Sequence, residues 1–144
     1  MPTSDEHYAF SWPVFLGHML FLLAAWTVFI KYLFPLAFAI AEGIDWHTYL
    51  YLDLWPILHV WLGWALLKRP PYTRALAIGL SLVEIAIIVT LFWMFLTDPE
   101  WSIWRTNWFV NKVFVLSCFV LVLYAALRHP QRFRPSGGAS TSST

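Results

Sequence analysis

Four apolar runs, each close to the ~20 residues that a helix needs to cross a ~30 Å hydrocarbon core, occupy most of this 144-residue chain. In hydrocarbon every backbone N–H and C=O must be paired within the protein, so only helices and closed barrels can span it, and runs of this length suit helices. The sequence therefore predicts an all-α integral membrane protein, a four-helix transmembrane bundle with spans at about 13–34, 49–67, 73–96 and 109–127. A polar lead, 1–12, precedes this transmembrane domain, 13–128, and a flexible tail, 129–144, follows it, ending in SGGASTSST with no core-forming residue. The lead is acidic, and the run after it is too long for a signal h-region, so the first span is expected to stay as an anchor.

Composition supports this class and removes others. Charged residues make up 12% of the chain, half of the ~25% usual in soluble domains. A net charge of +1 with no long basic run gives no footprint for nucleic acid. The single cysteine, Cys118, lies in the last apolar run, which excludes an intramolecular disulfide and a cysteine-based metal site. No GxSxG, Walker loop, GxGxxG or HExxH is present, so hydrolase, nucleotide and zinc-protease chemistries have no motif. No side chain is assigned a catalytic role or a metal, and a non-enzymatic role is favoured. Asp45 with His47 is a two-residue coincidence too common to define a metal site.

The second run, YLYLDLWPILHVWLGWALLK, carries Asp53, Pro56 and His59 at i, i+3 and i+6. A charge at the bilayer centre costs roughly 2.5–3.5 kcal/mol on insertion scales, so these groups call for partners on other spans. Pro56, read as lying in mid-span, predicts a bend and a freed carbonyl near Leu52. Pro35 predicts either a kink in the first span or a short surface segment over 35–41. At ~1.5 Å per residue, His59 lies ~12 Å, Glu84 ~16 Å and His18 ~8 Å from the ends of their spans nearest the termini. These depths predict a polar interior layer of His18, Asp53, His59 and Glu84, in which His59 and Glu84 hydrogen-bond. Lys31, Asp53 and Lys112 are expected to neutralise one another at the opposite end.

Lys68, Arg69, Arg74, Arg128, Arg132 and Arg134 gather on one side of the spans, against Arg105 alone in the opposite loops. The positive-inside rule then places both termini in the cytoplasm, in an inner membrane of bacterial type. Many of the ten tryptophans fall near span ends, as an aromatic belt would. Trp101, Trp104 and Trp108, spaced three and four apart, are candidates for one interface-facing side of an amphipathic segment.

Three functional readings follow. In one, His18 and His59 ligate a b-type haem between the first two spans, with Gly17 and Gly63 making room for the porphyrin, giving an electron-transfer subunit. In another, Asp53, His59, Glu84 and a lysine line a path for protons or a small solute in an oligomeric transporter or channel. In the favoured one, the chain is a non-catalytic accessory or assembly subunit of a respiratory or photosynthetic membrane complex. Its partners are then the lipid bilayer and other integral membrane subunits or further copies of itself.

Overall fold

The computed structural model describes residues 10–50 and 52–135. Tyr51, the acidic lead up to residue 9 and the tail from residue 136 lie outside them. The chain is all-α. Helix α1 (Trp12–Val28) passes through a π turn (Phe29–Leu33) into α2 (Phe34–Glu42), forming one rod. A 3-10 turn (Trp46–Tyr49) leads to α3 (Trp55–Lys68), followed by α4 (Thr73–Thr97), α5 (Ile103–Arg128) and a last 3-10 turn (Pro130–Phe133). Three segments, Trp12–Glu42, Thr73–Thr97 and Trp104–Arg128, are long and apolar enough to cross a membrane. The protein is an integral membrane protein.

Local chemistry sets the boundaries. Pro13 sits in the first turn of α1, where its missing N–H costs nothing, and the Ser11 carbonyl accepts from Phe15 N at 3.0 Å. The expected kink at Pro35 takes the form of the π turn. A proline cannot donate to the carbonyl four residues back and its ring crowds that carbonyl, and the wider turn before it absorbs the conflict without ending the rod. Gly43, in the left-handed region at φ 65°, stops α2, while Ile44 N returns to Ala39 O at 2.9 Å.

The second run departs furthest from expectation. Pro56 is not in mid-helix; it lies in the first turn of α3, and Leu52, Asp53 and Leu54 ahead of Trp55 are non-helical. Helix α3 has 14 residues, ~21 Å, instead of a full span, because a proline is tolerated at a helix start far more readily than in its interior. Helix α5 in turn starts at Ile103, ahead of the expected 109. The chain also stays in the fold beyond Arg128: Phe133 is 2% exposed and belongs to the core.

The helices associate as two pairs. Helix α1 packs along α3, and α4 along α5, with fewer contacts between the pairs. At the end nearest the termini the first pair is in backbone contact. A Cβ on Gly17 would lie 3.0 Å from Gly63 O, and one on Gly63 would lie 3.1 Å from Gly17 O. Leu16, Leu20, Leu62 and Leu66 fill the flanks of this crossing and join Phe119, Val122 and Ala126 of the second pair in one core. Small residues that let backbones touch are the usual means of helix association where lipid is as apolar as the side chains.

Candidate functional site: a polar seam between two helix pairs

The polar side chains collect along the seam between the pairs and toward the end opposite the termini. Lys31, in the π turn, forms an ion pair with Asp53, whose carboxylate is 8% exposed. The other oxygen, Asp53 Oδ1, accepts from Trp55 N at 3.0 Å. Asp53 therefore both neutralises Lys31 and satisfies the start of α3, where unpaired N–H groups need an acceptor. Lys112 of α5 is half-buried and makes no ion pair with any described residue. The neutralisation expected among Lys31, Asp53 and Lys112 is thus a Lys31–Asp53 pair with Lys112 left over.

Across the seam, Trp26 Nε1 donates to Asn111 Oδ1 at 3.0 Å, joining α1 to α5. Asn107, Asn111 and Lys112, together with Lys31, Tyr49 and Trp55, line a cleft of about 450 Å³ that opens between the pairs. Neither asparagine was singled out from sequence. The signal available was two amides at i and i+4 next to a lysine on an otherwise apolar helix.

His59 and Glu84 are both 2% exposed and Ser81 is fully buried. The expected His59–Glu84 hydrogen bond is not made: His59 Nδ1 and Nε2, Glu84 Oε2 and Ser81 Oγ have no hydrogen-bond partner. The His59 ring instead lies 5.3 Å from Phe119 and 6.1 Å from Trp55, between centroids. Of these groups, His59 and Glu84 lie in the field of Lys31, Asp53 and Lys112. An unpaired buried polar group is expensive, commonly 1–3 kcal/mol, and such groups concentrate at functional positions.

His18 does not join this layer. It is exposed, and its Nδ1 donates to Val14 O at 2.7 Å on its own helix. His18 and His59 therefore face different surroundings, and Gly17 and Gly63 close the space between α1 and α3 instead of opening it. Among the described residues no three His, Cys, Asp or Glu side chains come together as a metal site. Asp45 and His47 are exposed; His47 Nδ1 donates to Asp45 Oδ1 at 2.8 Å, and this bond holds the Asp45 carboxyl below its usual range.

The tryptophan triplet divides. Trp101 and Trp108 pack on Phe95 of α4 at 4.9 and 5.7 Å, closing the α4–α5 hairpin. Trp104 turns the other way, onto Phe34 and Phe38 of α2 at 5.7 and 5.4 Å. Trp101 and Trp104 keep about half of their surface exposed.

The fold and the seam define the class, a small helical membrane protein with a polar interior layer. Comparison with protein-family models, with curated proteins and with solved structures gives no match.

Proposed function

We propose that this chain is a non-catalytic accessory or assembly subunit of a larger energy-transducing membrane complex, respiratory or photosynthetic, in an inner membrane of bacterial type. The observation that carries the reading is the stretch before α3. Helix α3 covers only ~21 Å of a ~30 Å core, so about 9 Å of the second run must be crossed by non-helical chain. Asp53 turns inward to Lys31, and the leucines around it are exposed: Leu50, Leu52 and Leu54 are 52%, 86% and 59% accessible. Irregular backbone is tolerated at membrane depth where protein or water covers it, not against lipid. A neighbouring membrane subunit supplies that cover. Positive charge at the ends of α3 and α5 supports both termini lying on the cytoplasmic side.

The test is a photo-crosslinking amino acid at Leu52 in the full chain, followed by mild solubilisation, mass spectrometry and a reduced-minus-oxidised spectrum. Crosslinks to another integral membrane subunit, with the chain co-purifying in fixed proportion, are the expected result. A monomer crosslinked only to lipid would overturn the reading. The buried unpaired atoms of His59, Ser81 and Glu84 favour a second reading, a proton path through the seam. Proton flux in reconstituted vesicles that is lost in Glu84→Gln is its signature.

A further inference from the structure

We infer that the cleft between the two helix pairs is a binding site for one membrane lipid with an anionic phosphate headgroup. Three features of the seam lead there. The first is charge. Lys31 is already matched by Asp53, but Lys112 lines the cleft with its half-buried side chain and has no described carboxylate in ion-pair contact. An ammonium about three turns into α5 that makes no ion-pair contact has room for a counter-charge, which a phosphate provides.

The second is hydrogen-bond donors. Because Asn111 Oδ1 is taken by Trp26, the group this residue presents is its NH2 donor. Asn107 lies one turn away on the same wall. Lysine and two amides form a set of donors matched to phosphate oxygens, beside the rings of Trp55 and Tyr49.

The third is shape. Asn107 and Asn111 also line a second, apolar groove of about 340 Å³ between α1 and α5, walled by Leu22, Trp26, Val110 and Phe114. This groove runs from the two asparagines toward the middle of the two helices. A cleft that carries three donors and shares two wall residues with an apolar groove fits a molecule with a charged head and a hydrocarbon chain. Free phosphate would use the first half and leave the second without a role.

The full chain, purified in a neutral detergent, is heated with three probes: short-chain phosphatidylglycerol, short-chain phosphatidylcholine and inorganic phosphate. Phosphatidylglycerol is expected to raise Tm saturably, and the other two are not. Lys112→Gln should need roughly tenfold more phosphatidylglycerol for half of the shift, as befits one lost charged hydrogen bond. Arg105→Gln, an exposed cation near the same end, should respond as the parent chain does. Should Lys112→Gln not fold, Asn107→Leu serves in its place with the same expected loss. Equal shifts with the two lipids would reduce the site to an apolar groove, and a shift with phosphate alone would make it a free-anion site. Either result, or no shift at all, overturns the inference, and none of them touches the crosslinking outcome at Leu52.

Discussion

The two ends of the α1–α3 pair solve the same problem in opposite ways. Near the termini, Gly17 and Gly63 bring backbones together and exclude everything else. At the other end, Lys31 and Asp53 hold the rod to the start of α3 by charge, and a cleft lies beside them. Dispersion at the first end needs close approach and tolerates no added atom. Electrostatics at the second acts over a longer range and leaves space that can be used. Close backbone packing is therefore concentrated at one end and open space at the other.

That division is open to attack. Gly63→Leu should do the most damage, about 3 kcal/mol, because the new side chain meets Gly17 O and Leu20 with no room to relax. Thermal or denaturant unfolding in detergent would read it, and a loss under 1 kcal/mol would show that the crossing is looser than it looks. Asp53→Ala should cost about 2 kcal/mol, since it strands Lys31 and leaves Trp55 N without its acceptor. Pairing it with Lys31→Met should recover most of that loss, which a double-mutant cycle would measure.

Trp26→Phe removes one bond across the seam and should lower stability by about 1 kcal/mol. Its larger consequence falls on lipid response, because the Asn111 amide becomes free to turn. The smallest effect belongs to His59→Leu. Neither ring nitrogen has a partner to lose, so the isolated chain should change by less than about 1 kcal/mol and gain as readily as lose. Any strong phenotype of this variant in complex yield or proton flux would then report function and not folding.

The class of fold was legible because run length and charge depletion are properties of the bilayer, not of packing. The Lys31–Asp53 pairing was legible too, since two ionisable groups near one end of neighbouring spans have few other partners. Which way His18 and His59 face was not. In a helix apolar all round, the side toward lipid and the side toward protein read alike, and no polar face marks the difference. Pro56 was misplaced for a related reason. The residues upstream of it are as apolar as those downstream, and hydropathy does not distinguish a span interrupted by proline from a short helix that begins there. Phe133 was hidden by the polar residues around it.

The π turn at Phe29–Leu33 has an effect on phase. Each residue advances a helix by about 100°, so the one extra residue held in a π turn rotates everything after it by that angle. Phe34 and Phe38, the residues that meet Trp104, lie just beyond this offset, and Lys31 sits within it. Deleting one residue from the turn would return the rod to a single α register and swing α2 out of step with its neighbours. The first segment thus works as two helices joined by a fixed angular gear, with the proline two residues on keeping the tooth in place.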